Sequence, residues 1–163
     1  MKYYVVDTFT NEVFRGNQAG VCLLDREISD EVMQSIASEN NLSETAFFIE
    51  KEGVNYLRWF TPDVEIDLCG HATLATAYVI MTQIKPDMTK ISFQTMSGEL
   101  TVEKQGDLFT MYFPTRAPKA VETIVKSRIA PQPRTPSTMF LRRTRYPYLV
   151  ISAVIPLTWC FTP

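Results

Sequence analysis

Hydrophobic positions change their rhythm along this chain. Through the first 114 residues, short runs rich in β-branched and aromatic side chains alternate with turn residues, the pattern of strands. Tyr3 to Phe9 and Ala19 to Leu24 are predicted strands flanking a loop over 10–18. Ser29 reads as an N-cap with Asp30 and Glu31 in the first turn, so Val32, Met33, Ile36 and Ala37 form one helical face ending near Asn40 and Asn41. Glu44 to Glu50 and Asn55 to Thr61 predict a hairpin turning at Gly53. Ile91 to Met96, Glu99 to Glu103 and Leu108 to Phe113 predict three further strands, with turns near Ser97-Gly98 and Gly106-Asp107. Between these groups, Gly70 to Ile84 reads as a helix that is apolar on nearly every side. Such a helix needs cover all round. Curved sheet supplies it, so the predicted fold is α+β, a strand-rich barrel or roll wrapped around one central helix.

The pattern stops near Lys119. The last 45 residues contain no glycine, and Pro131, Pro133, Pro136, Pro147, Pro156 and Pro163 recur among clustered arginines. Prolines at that density interrupt helices and ladders alike. Only Tyr148 to Ile155 there looks like a strand. The expected organisation is therefore a folded domain over 1–118 and a basic, Pro-rich tail over 119–163, read as a truncated or aberrant ending.

Composition adds bounds. With 163 residues, 45% of them hydrophobic, the chain can bury one sizeable core, domains commonly being about 100–150 residues. No apolar run reaches the roughly 18 residues of a membrane span, and Met1 to Asp7 has no secretory pattern, which makes the cytoplasm the expected compartment. The net charge of −2 gives no general attraction to nucleic acid, yet it hides a division. Residues 1–118 hold 9 basic and 17 acidic side chains, net −8, whereas 119–163 hold 7 and 1, net +6. Cysteines at 22, 69 and 160 are odd in number and widely spaced, which argues against a disulfide framework and against a zinc site. No metal and no cofactor is expected.

The candidate chemistry gathers around Asp67-Leu68-Cys69-Gly70-His71-Ala72-Thr73, where a polar turn carrying the only histidine runs into the apolar helix. A helix start opening on a cavity offers unpaired N–H groups and a positive dipole end, an arrangement suited to a carboxylate. Glu44 stands at the entry to an apolar strand, where partial burial would raise its pKa toward a range useful for proton transfer; from position alone a solvated strand-end acid is the favoured reading. His71 reads as a second proton carrier or as a capping residue. Cys69 reads as a buried inert thiol or as a thiolate base whose pKa that helix end lowers. Gly16-Asn17-Gln18-Ala19-Gly20 is a turn that either relaxes the backbone or contacts substrate. Arg58-Trp59-Phe60-Thr61-Pro62 is a packed strand ending in a turn, one of whose aromatics could line a pocket.

Four blocks in order, Phe14-Arg15-Gly16-Asn17-Gln18-Ala19-Gly20-Val21, Asn41-Leu42-Ser43-Glu44-Thr45-Ala46-Phe47, Arg58 to Pro62 and Leu68 to Thr73, resemble the phenazine biosynthesis-like (PhzF) family. The resemblance covers residues 1 to about 118 and implies the diaminopimelate epimerase-like fold, of which this would be the first of two related domains with the site in the cleft between them. It implies a cofactor-independent isomerase of a small carboxylate metabolite, with Glu44 shuttling the proton and His71 assisting. Asn17, Ser43, Gly70, Ala72 and Thr73 become the substrate-binding candidates, the last three as part of the carboxylate cradle. Gln18 stands where the family usually has proline, and the family's second-domain residues are missing after 118. A chain with half a cleft would expose an apolar face suited to homodimer formation. Two alternatives stand beside this reading: a catalytically dead fragment serving as a binding or interaction module, and a thiol-based racemase using Cys69.

Overall fold

The structure, a computed structural model, describes residues 1–10, 12, 14–114 and 148–154. Most of the expected 119–163 tail lies outside the described residues.

Strand β1 (Lys2–Thr8) pairs antiparallel with β2 (Asn17–Leu23), Thr8 lying opposite Asn17. Helix α1 (Asp30–Asn40) then carries the chain to β3 (Glu44–Lys51), which joins β2 in parallel, Ala19 opposite Glu44. A parallel pair needs such a crossover, since a tight hairpin can only reverse direction. The hairpin of β3 with β4 (Val54–Phe60) turns through Glu52 and Gly53, both at positive φ (51° and 78°). A two-residue strand β5 (Glu65–Ile66) hangs on β4 and leads into α2 (Gly70–Val79), the second crossover. Beyond it β6 (Lys90–Thr95) meets β4 in parallel, and β7 (Gly98–Gln105), β8 (Leu108–Pro114) and β9 (Tyr148–Val154) follow antiparallel. The sheet path is β1-β2-β3-β4-β6-β7-β8-β9. The strand expected over Tyr148 to Ile155 is β9, with Ile155 outside the described residues.

Side chains of successive strand residues point to opposite faces, and that period divides the core. Val21, Ala46, Leu57 and Trp59 face α2, while Cys22, Phe47 and Phe60 face Met33 and Ala37 of α1. Helix α2 packs on β1, β2 and β3 and also on β8, so the sheet curls around it as the all-round apolar sequence demands. Every residue from His71 to Val79 is buried. Its two interior threonines cost little there, because Thr73 Oγ1 donates to the Cys69 carbonyl (2.5 Å) and Thr76 Oγ1 to that of Ala72 (2.8 Å).

Two expectations need correction. The predicted Gly70–Ile84 helix is α-helical only to Val79 and finishes in a π-helical turn over Ile80–Ile84, where the Lys85 N–H reaches back to the Ile80 carbonyl (2.7 Å). Val32 is 46% exposed rather than part of the buried face of α1. At about 100° per residue it lies to one side of the Met33 and Ala37 stripe, the narrow contact this helix makes. Ser29 does cap α1, accepting from the Val32 N–H (3.4 Å), and Asn41 ends it in the left-handed region (φ 50°). Trp59 and Phe60 of the Arg58-Trp59-Phe60 run are packed, as the strand reading expected, on opposite faces. Arg58 grips Glu65 through two bonds (2.6 and 2.7 Å) and Asp30 at 2.7 Å, tying β4 to β5 and α1.

Candidate active site

One end of the sheet collects the chemistry. Thr8, Asn17 and Glu44 share that end through the β1-β2-β3 register, and α2 starts beside them. His71, the second residue of α2, brings its Nε2 to 3.1 Å from Glu44 Oε2. The histidine side chain is 9% exposed and the glutamate side chain 19%, so the pair is half withdrawn from water. The approach is off the hydrogen-bonding line, and neither Nε2 nor Oε2 has a directed partner among the described residues. Buried polar atoms are normally satisfied, and a catalytic hydrogen bond that is poorly aligned in the free protein commonly tightens around its ligand.

At the other ring nitrogen, Cys69 Sγ lies 3.4 Å from His71 Nδ1. The thiol also faces the His71 and Ala72 N–H groups at the start of α2, yet burial outweighs them and pushes its pKa up to about 12. Of the two readings of Cys69 this favours the buried thiol over the thiolate base: the helix end is present, but desolvation dominates. Glu44, Cys69 and His71 place ligand-type atoms within 4.8 Å of one another. Each ring nitrogen has one of the other two groups near it, Sγ at Nδ1 and Oε2 at Nε2.

Asn17 and Ser43 line an adjoining depression of about 410 Å³, with Asp7, Gly16 and Gln18 among its walls. Ser43 Oγ contacts Asn17 Oδ1 (3.4 Å) and donates to the Gln18 carbonyl (3.3 Å), which also faces the His71 imidazole. The depression and the acid-base pair are thus joined through one backbone group. Gly70 sits under the Phe113 ring, whose Cζ would lie 2.7 Å from a Cβ at that position. Ala72 is wholly buried, so only its backbone can serve a ligand. Thr73 is turned away: its N–H and its hydroxyl both go to the Cys69 carbonyl (3.3 and 2.5 Å). The first N–H groups of the helix are those of Gly70, His71 and Ala72, the last two also facing the Cys69 sulfur.

Sequence reasoning passed over Asp7. It is 8% exposed, its Oδ1 has no partner among the described residues, and Gly16 packs so closely that a Cβ there would come within 2.8 Å of Asp7 Cβ. The signal was an acid closing a strand-like run, Tyr3 to Phe9, at a position where the side chain turns inward.

Burial holds the pKa of His71 below its ordinary 6.5, with the Glu44 carboxylate and the Gln18 carbonyl pulling the other way. Below about pH 6.5 the unfolded chain takes up a proton that the folded imidazole resists, so stability falls as pH drops through that value toward the folded pKa. Asp25, Asp30 and Glu31 have lowered pKa values from 3.8, 3.8 and 4.5, so their losses begin only at greater acidity. Denaturant midpoints measured between about pH 7.5 and 5 should therefore decline in the native chain and lie flat in His71→Gln. Equal slopes in the two would contradict the buried neutral imidazole.

A carboxylate and an imidazole thus lie in contact at the start of a helix, inside a curled strand-rich sheet. The sequence matches the family model for phenazine biosynthesis-like (PhzC-PhzF) proteins over residues 6–141, and the chain belongs to that family. Among its relatives is an uncharacterized isomerase of Pseudomonas aeruginosa, 50% identical over 120 residues, covering 74% of this chain and 46% of the relative. Another uncharacterized isomerase, from Halalkalibacterium halodurans, is 43% identical over 149 residues, covering 90% and 55%. A crystal structure of a phenazine biosynthesis PhzC/PhzF protein from Clostridium difficile superposes with a TM-score of 0.69 at 55% identity, over 76% of this chain and 48% of that one. The chain spans about half the length of the curated relatives it matches. Among the described residues, no helix is long and apolar enough to cross a membrane.

Proposed function

We propose that this chain performs the proton transfer of an isomerase that acts without a cofactor on a small carboxylate metabolite. The observation that carries the reading is the 3.1 Å approach of His71 Nε2 to Glu44 Oε2 beside the first turn of α2. The substrate carboxylate lies on the Gly70, His71 and Ala72 amides, where the helix dipole favours negative charge. Glu44 then takes a proton from a carbon next to a group that can hold the electron pair. It returns a proton to that carbon or to a conjugated one, and His71 orients the Glu44 carboxyl group through both events. Asn17 and Ser43 border the side from which the rest of the substrate enters.

The test incubates the full chain in deuterium oxide with a panel of small chiral carboxylic acids, reading deuterium on carbon by mass spectrometry and the backbone amides by NMR. The expected result is exchange into at least one acid, with shifts concentrated at Gly70, His71 and Ala72. Exchange unaccompanied by those shifts would overturn the cradle. No exchange and no shift across the panel would overturn the reading.

A further inference from the structure

We propose that Cys69 is a positioning residue which fixes the His71 imidazole in its Nε2–H tautomer, so that the ring donates toward Glu44. The inference rests on the reading of Glu44 and His71 as the acid-base pair, but its test does not depend on turnover.

A neutral imidazole carries one N–H and one bare nitrogen, and the groups facing each decide which is which. Cys69 Sγ is 3.4 Å from Nδ1 and Glu44 Oε2 is 3.1 Å from Nε2. The carboxylate only accepts, so it favours an N–H at Nε2. The buried thiol keeps its hydrogen at neutral pH, which makes it a weak donor that favours a bare Nδ1. In that tautomer each nitrogen faces a group of the complementary kind, the Nε2 approach to Oε2 being off the hydrogen-bonding line in the free protein. In the other, a bare Nε2 would face carboxylate lone pairs while Nδ1–H met a poor sulfur acceptor. Cys69 immediately precedes α2 and is itself buried, so the sulfur cannot swing away without disturbing the helix start. The third group facing the ring, the Gln18 carbonyl, accepts only and cannot favour a bare nitrogen.

His71 is the single histidine of the chain, which makes its ring nitrogens readable without assignment ambiguity. The full chain, labelled with ¹⁵N-histidine and observed at about pH 7.5 so that the ring is neutral, should show Nδ1 in the unprotonated range and Nε2 in the protonated range. Cys69→Ser keeps a donor at the same place and should keep that pattern. Cys69→Ala removes it, and the Nε2–H to Nδ1–H ratio should fall about threefold to fivefold, the weight of one modest hydrogen bond. An Nδ1–H ring in the native chain, as a bond from Nδ1 to the Gln18 carbonyl would enforce, overturns the proposal. So does an unchanged ratio in Cys69→Ala. The native spectrum decides the direction even if a variant fails to fold. Loss of deuterium exchange with the tautomer intact would instead count against the function proposed for Glu44 and leave this inference standing.

Discussion

Glu44→Gln should lower the rate of solvent-deuterium exchange into substrate by about two to four orders of magnitude, the usual contribution of a positioned acid-base group, while leaving the fold in place. Glutamine keeps the size and one acceptor oxygen of the side chain but cannot take up a proton. The position tolerates this change structurally, since Glu44 begins β3, its side chain is still 19% exposed, and its ladder partner Ala19 is engaged through the backbone. Binding of the carboxylate should persist, because the amides at the start of α2 do not depend on the Glu44 charge. The measurement is therefore paired: exchange by mass spectrometry, and the amide shifts of Gly70, His71 and Ala72 on titration with the acid that the native chain labels. Retained exchange would remove Glu44 from the chemistry. Lost exchange together with lost amide shifts would mean that the substitution had damaged the cradle rather than the proton carrier.

How much of this was legible in the sequence depends on whether a feature is local. Helix α2 could be read because its burial is written into every side of it, from Ala72 and Leu74 to Val79. The reversals at Gly53, Gly98 and Gly106 could be read because each glycine occupies positive φ (78°, 94° and 60°), where a side chain would be strained. The parallel joins of β2 to β3 and β4 to β6 have no local mark, for nothing within either strand names its partner. Strand β5 escaped because two residues carry no alternation; it is held by Arg58, whose role emerges only when β4 and α1 lie side by side. The site divides in the same way. The helix start that the proposal uses was visible in the run from Leu68 to Thr73, and the resemblance pointed to Glu44. The inward turn of the Thr73 groups, the burial of Asp7 and the rise in the Cys69 pKa arise from what the folded sheet places over them.

Phe93→Ala should destabilise the chain by about 3–5 kcal/mol, the range for emptying a fully buried aromatic position, and lower the melting temperature by roughly 10 °C at this chain length. Phe93 is on β6 with none of its surface exposed, and its ring meets Phe48 edge to face at 6.1 Å and 87°. It belongs to the cluster that also holds Leu74, Ala77 and Met81, so the lost volume lies against the elements that cover α2. Domains are stable by only about 5–15 kcal/mol, which makes this loss a large fraction of the whole. Val32→Ala provides the contrast: at 46% exposure its cost should stay within about 0.5 kcal/mol, as for an ordinary surface change. Similar losses in the two variants, measured by denaturant titration, would contradict the division between the core around α2 and the thin contact under α1. The consequence reaches the site, because α2 is what carries His71 to Glu44. A loosened cover should weaken the carboxylate-imidazole contact before the sheet itself melts. In Phe93→Ala the His71 nitrogen resonances should accordingly broaden or average below the global transition, whereas in Val32→Ala they should stay as in the native chain.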